Sequence, residues 1–268
     1  MAADSSDCLV LGLAAGYHPG DLRPFAASLA ASGFAGRCVL FVTPTTREAG
    51  RLGDFGIAAA PLDAPASLAH LPVNALRHFR YLEFLRRADR EYRRILLTDV
   101  RDVAFQADPF SFPWPDGLNA ALEHGGRRVG ECPYTSRWVR LHLGRAALEA
   151  LADKPVSCSG TTVGGHAAIL RYLEEMAARL VPFAPAAHMA GYDQGVHNLL
   201  VHGGLAPEPA FHDNAGPILT LGWRRDPPAV DDAGNVLNDA GLPAHIVHQY
   251  DRHPALHRAV RARWAEPR

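Results

Sequence analysis

Two carboxylates and a guanidinium fall within four positions at Asp99-Val100-Arg101-Asp102, directly after the apolar run Ile95-Leu96-Leu97-Thr98. Paired carboxylates at the end of a buried strand can hold a hard divalent cation such as Mn²⁺ or Mg²⁺, which prefers carboxylate oxygens together with substrate phosphates. In a straight strand residues three apart point to opposite faces, so Asp99 and Asp102 converge only if the chain turns or bulges there. The plain alternative is a structural Asp–Arg ion pair at a strand end. A second chemical segment lies far downstream, at Ile246-Val247-His248-Gln249-Tyr250-Asp251-Arg252-His253. Here an apolar strand ends in an imidazole, and its place at a strand exit sets His248 apart from the other histidines, although a lone histidine is ordinarily a surface or satisfied core residue.

The elements that must position these groups are readable from pattern. Cys8–Leu13 is a strand, Leu22–Ser32 a helix entered through Asp21, Arg37–Val42 a strand, Thr45–Leu52 a short helix and Ile57–Ala60 a third strand. That βαβαβ opening predicts an α/β fold with a mostly parallel sheet and helices on both faces. A helix over 75–88, capped by Asn74, leads into the central strand Arg94–Thr98. From Phe105 to Pro155 prolines and glycines interrupt the pattern, leaving a strand at Leu118–Leu122 and helical stretches at Ser136–Leu143 and Arg145–Ala152. Further strands are expected at Val156–Val163, Ile218–Leu221, Asn235–Leu237 and His245–His248, with helices at His166–Leu180, Tyr192–His202 and Pro254–Trp264. At 268 residues without repeat, low-complexity tract or linker, one domain is preferred, its nucleotide-binding part about residues 1–105 and its acceptor and metal-completing part about 106–268.

Composition narrows the class. With 27 Lys+Arg against 28 Asp+Glu there is no basic excess for general nucleic-acid binding, so any acidic ligand must be met by local arginines. The 4 cysteines have no CxxC or zinc-type spacing and read as buried thiols. The start, Met1 to Asp7, lacks the features of a signal peptide, and no apolar run reaches the ~18 residues of a membrane span. The expected location is the cytoplasm. Peripheral contact with the inner face of the membrane, through the arginine-bearing last helix, is weighed against ordinary packing of an amphipathic helix.

The acidic tip and the C-terminal histidine together resemble nucleotide-sugar glycosyltransferases of the GT-A fold, especially the glycogenin-like metal-dependent transferases. Asp99 to Val103 with Gln106-Ala107-Asp108-Pro109-Phe110 is similar to the setting of the family's DxD motif, except that two residues rather than one separate the aspartates. The resemblance implies a Rossmann-like sheet, Mn²⁺ or Mg²⁺ held by Asp102, His248 and Asp99, with Asp99 reaching metal or ribose, and a UDP-sugar as first choice of donor. Ser157 to Gly165 looks like the family's strand with a small-residue turn, where Ser159 and Gly160 let backbone approach the donor sugar. Gly191-Tyr192-Asp193-Gln194 through Asn198 resembles its "DQ…N" helix start, which implies Asp193 and Gln194 near the reacting sugar, while Arg252 or His253 stands where the family places a phosphate-binding lysine. After the first strand, Ala14, Ala15 and Gly16 permit close approach of a nucleotide and Tyr17 can stack on its base, or simply pack against its own domain. Arg77 and Arg80, three apart on one helix, reach a diphosphate or sit in solvent.

The reaction so implied is transfer of a sugar to a glycan, glycolipid or other hydroxyl acceptor. An inverting enzyme needs a carboxylate base, for which Asp193 and Glu123 are candidates, whereas a retaining one lets the leaving phosphate take the proton. The glycogenin-like resemblance leans toward retention. The rivals are a sugar-phosphate nucleotidyltransferase, which the absence of Lys and Arg over residues 14–20 disfavours, an aspartyl phosphohydrolase, whose Asp-x-Asp spacing is missing, and an inactive nucleotide-sugar-binding protein.

Overall fold

The computed structural model describes residues 4–265, so the first three residues of the N-terminal stretch lie outside the described residues. Strand β1 (Cys8–Ala14) leads to helix α1 (Pro19–Ala31), then β2 (Arg37–Val42) and β3 (Ile57–Pro61), helix α2 (Val73–Arg86) and β4 (Arg94–Thr98). After β4 come the short strand β5 (Val103–Phe105), β6 (Leu118–Leu122), α3 (Thr135–Trp138), α4 (Arg145–Leu151) and β7 (Ser157–Gly164). The chain finishes through α5 (His166–Leu180), α6 (Tyr192–His202), β8 (Ala210–His212), β9 (Ile218–Thr220), β10 (Ile246–His248) and α7 (Pro254–Arg263).

These strands form a seven-stranded mixed sheet in the order β3-β2-β1-β4-β7-β6-β8 and a three-stranded sheet in the order β5-β10-β9. Pairing is parallel from β3 through β2 and β1 to β4, antiparallel on both sides of β7, and parallel again between β6 and β8. The chain is therefore α/β and Rossmann-like, with a mostly parallel sheet. Alternation along the strands explains its two covered faces: Leu9, Leu11, Ile95 and Leu97 pack under α2, α5 and α6, whereas Val10, Cys38, Leu40 and Leu96 pack against α1. A strand apolar on both sides reads as a continuous run, which is why β4 was visible in sequence.

Several boundaries move for local reasons. Helix α1 begins earlier than Leu22: His18 accepts from Gly20 N at 3.1 Å, and Asp21 sits at the third helical position, where its carboxylate accepts from the His18 N–H. Helix α2 starts after Pro72, and Asn74 donates to the Ala190 carbonyl instead of capping. In place of a helix at Thr45 there is a turn, because Thr46 Oγ1 bonds to Ala14 O and Thr43 N and competes with helical pairing; a 3₁₀ segment follows at Ala49–Phe55. Asn235–Leu237 makes only single-residue bridges, since the Val236 N–H is taken by Gln106 Oε1 at 2.6 Å. The three-residue strands β5 and β8 were not expected, being too short to carry a period.

Helix α7 packs on the domain as an amphipathic helix. Its apolar stripe, Leu256 and Val260, is buried against the small sheet, Arg261 pairs with Asp21, and Arg263 donates to Gly234 O. No helix among the described residues is long and apolar enough to cross a membrane.

Candidate metal centre and adjoining cleft

The parallel strands deliver their carboxyl ends to one rim, the place where open α/β sheets bind ligands. Strand β4 stops at Thr98, and the chain turns through Val100–Asp102 before re-extending as β5. That turn supplies the convergence a straight strand would forbid. Strand β5 pairs antiparallel with β10, in the register Val103 with His248, and the next residue, Gln249, donates its N–H to Asp102 O at 2.7 Å. Two stretches almost 150 residues apart are thus fastened by backbone ladder, and the same junction is reinforced by Tyr250 OH on Arg101 O at 2.8 Å and by the Arg101–Asp251 ion pair at 3.0 Å.

The result is a cluster in which one ligand atom each from Asp99, Asp102 and His248 lies within 4.8 Å of the others. His248 is fully buried, and its Nε2, 3.4 Å from Asp99 Oδ2, makes no hydrogen bond. A buried ring nitrogen without a hydrogen bond beside two carboxylates could face a common divalent cation, and the carboxylates suit Mn²⁺ or Mg²⁺. Gly160 makes the approach feasible: its carbonyl accepts the Asp99 N–H at 2.7 Å, and a Cβ there would meet Asp99 Oδ2 and His248 Cε1, each at 2.5 Å. Ser159, its neighbour in β7, is half-buried. Cys158 Sγ lies 3.9 Å from the other ring nitrogen of His248, and burial pushes that thiol up, which keeps it neutral.

The two carboxylates differ in charge environment. Burial raises the Asp99 carboxyl, but Arg77 and His248 outweigh it and hold the group well below the usual carboxylate range. Asp102, only 9% exposed, is pushed up by burial against the pull of His248, with Asp99 adding its repulsion. Crowded anions of this kind are relieved by a cation placed between them.

Arg77 and Asp193 take positions different from those expected. Arg77 is buried and forms an ion pair with Asp99 on one side and with Asp193 Oδ2, at 3.1 Å, on the other. Asp193 is 2% exposed and also lies 3.4 Å from His78 Nε2. Neither is open to a substrate: Arg77 orients Asp99, and Asp193 balances Arg77, so the assignments of Arg77 to a diphosphate and of Asp193 to an acceptor proton are corrected. Arg80 is separated from Arg77 by the helix's own packing, pairing with Glu83 on the outer side of α2 beside Arg87 and Phe84. It does not join the site. Asn198, the last member of the "DQ…N" pattern, accepts from the Ser157 N–H and donates to the Ser157 carbonyl and so ties α6 to β7.

Gln194 and Glu123 do meet. Gln194 Nε2 donates to Glu123 Oε1 at 3.2 Å, and both line a cleft of about 480 Å³ together with Gln249 and Arg252. Burial raises the Glu123 carboxyl, opposed by Gln194 and by His248, and its Oε2 has no hydrogen-bond partner. His253 turns inward, 7% exposed, and does not line this cleft. On the opposite flank, the loop of Ala14, Ala15 and Gly16 is tied to the loop after β2 by Gly16 N–H donation to Thr43 and Thr46 hydroxyls at 3.0 and 3.2 Å. Tyr17 is half-buried there, its hydroxyl raised by burial and then by the nearby Asp99 carboxylate. Missed altogether were the aromatic residues of the cleft, Tyr134, Trp138 and Trp223. A signal for one of them existed: Gly191 and Gly195, four apart on one helix face, leave the space that Trp138 fills.

No protein-family model matches the chain, and no curated protein matches it.

Proposed function

We propose that this protein is a metal-dependent glycosyltransferase of GT-A type, moving a sugar from a nucleotide diphosphate donor, UDP-sugar first, to a hydroxyl acceptor. The observation that carries the reading is the convergence of Asp99, Asp102 and the buried, unpartnered His248 Nε2 at the carboxyl rim of the sheet. These three residues would hold Mn²⁺ or Mg²⁺, and the bound ion would supply positive charge to the departing diphosphate. Arg252, exposed on the adjoining cleft, adds a cation for phosphate oxygens, and Tyr17 offers a ring to the base.

In the transfer, the bond between the anomeric carbon and the β-phosphate oxygen breaks, its electron pair leaving with the nucleoside diphosphate, while the acceptor oxygen bonds to that carbon and gives up its proton. For a retaining enzyme the leaving phosphate oxygen takes that proton. For an inverting one the cleft carboxylate is Glu123, which burial biases toward proton uptake and Gln194 fixes in place. The experiment is a panel of nucleotide sugars scored for release of nucleoside diphosphate with Mn²⁺ or Mg²⁺ and with chelator. Release from one donor that chelation stops supports the reading; no metal-dependent binding or release across the panel rejects it. The anomeric configuration of the product, read by NMR, separates the two proton routes.

A further inference from the structure

The cleft beside the candidate cation cluster is lined by three aromatic residues, Tyr134, Trp138 and Trp223. Tyr134 lies 6.1 Å from Trp138 and 5.9 Å from Trp223 between ring centroids, inclined at 34° and 40°, so that it joins the two indoles in one aromatic cluster. Tyr134 is 53% exposed, a large ring left to solvent at the mouth.

The rings are held. Trp138 donates its indole N–H to His188 O at 2.8 Å and lies against the glycine face of α6, where a Cβ on Gly191 would come within 2.8 Å of the ring. The Arg127 guanidinium stands 3.8 Å from the Trp223 centroid. Around this cluster the cleft presents hydrogen-bonding groups with capacity to spare: Glu123 Oε2 and Gln249 Oε1 are both buried without partners, and Glu123 is only 7% exposed. Gln249 is kept there in left-handed backbone, φ 61°, directly after His248, so the cleft abuts the cation cluster along the chain.

A cluster of aromatic rings with polar groups beside it selects a ligand of matching construction. The face of an aromatic ring is electron-rich and attracts C–H groups that carry slight positive charge, while the polar groups need hydroxyls to satisfy them. A pyranose ring has both: C–H groups over its faces and hydroxyls around its rim. An acyl chain would leave Glu123 Oε2 and Gln249 Oε1 without partners, whereas hydroxyls would satisfy them. An extended peptide would be expected to pair with a free strand edge, whereas this cleft is lined by side chains of helices and loops. Its size, about 480 Å³, falls within the about 300–1,000 Å³ usual for small-ligand sites.

We infer that this cleft is a carbohydrate subsite and that the acceptor is a pyranoside, stacked on Trp223 and Tyr134 with its hydroxyls on Glu123, Gln194 and Gln249. The inference rests on the transferase reading for the word acceptor, and on the cleft alone for the word carbohydrate. The test uses the full chain without donor or metal, applied to a printed array of oligosaccharides, with each retained glycan then titrated in solution by tryptophan fluorescence. Binding of one glycan class, weakened about tenfold or more by Trp223→Ala and by Tyr134→Ala and unchanged by Arg80→Ala, is the expected result. A blank array, binding that both aromatic variants leave intact, or preferential retention of acyl chains or Ser/Thr peptides overturns it. Calorimetry of UDP with Mn²⁺ on the same preparation separates the two claims. Glycan binding without UDP binding rejects a UDP-sugar transferase and keeps the subsite, and UDP binding without glycan binding does the reverse.

Discussion

The two sides of the candidate cation cluster are built by different means. On the Asp99 side the support is charge: Arg77 lies buried between Asp99, whose side chain is 36% exposed, and the buried Asp193, with His78 against the latter. On the Asp102 and His248 side the support is backbone, the β5–β10 ladder and the Gln249 N–H on Asp102 O. A buried charge relay ties the site to the stability of the whole domain, because removing one member strands another charge in low dielectric. A ladder fixes position without making the ligand side chains responsible for the fold. Substitutions on the two sides should therefore separate into those that unfold and those that only disarm.

The largest functional loss is expected on the ladder side. Asp102→Asn keeps the shape and removes one anion, so metal-dependent UDP binding should vanish and turnover fall by roughly 10²–10³-fold or more, with the melting temperature nearly unchanged. Calorimetry and a thermal melt on one sample check both halves; wild-type UDP affinity would remove Asp102 from the cation site. On the charge side, Arg77→Met should destabilise the protein by about 3–5 kcal/mol, because Asp193 is left buried without its cation. Adding Asp193→Leu should restore most of that stability in urea unfolding while UDP binding stays weak, since Asp99 still lacks its guanidinium. Recovery of both together would mean that Arg77 serves the fold alone.

Gly160 sits where the two sides touch, and its effect should be intermediate. A methyl at this position would lie 2.5 Å from Asp99 Oδ2 and 2.5 Å from His248 Cε1, so Gly160→Ala must push the charge-held ligand away from the ladder-held one. Mn²⁺ affinity should fall about 10- to 100-fold, in the range seen when supports of a metal ligand are lost, with about 1–3 kcal/mol of overpacking. A Mn²⁺ titration that leaves affinity intact would show that the ligands do not need this approach.

The same contrast governs what was legible beforehand. Charges at the exit of β4 and β10 stood out because apolar runs frame them, and Gly160 stood out as a small residue in a strand. The ladder was not legible: β5 has three residues, and its partner is almost 150 positions away. Nor was the fate of Arg77 and Asp193, since the spacing of Arg77 and Arg80 says that they share a helix face and nothing about which one the core accepts. Tyr134 and Trp223 lie in punctuated segments without period, so only tertiary proximity makes them a cluster.

Arg80 provides the smallest effect and the sharpest control on the charge side. It is one turn of helix from Arg77 and carries the same charge, yet it pairs with Glu83 on the outer flank, with the two side chains 20% and 34% exposed. Exposed pairs of this kind contribute about 0–1 kcal/mol. Arg80→Ala should therefore shift stability by less than about 1 kcal/mol and leave UDP affinity unchanged, whereas Arg77→Met alters both. If Arg80→Ala weakened UDP binding tenfold, the diphosphate would have to reach the outer flank of α2. The relay beneath Asp99 would then be a structural charge network with the donor bound elsewhere.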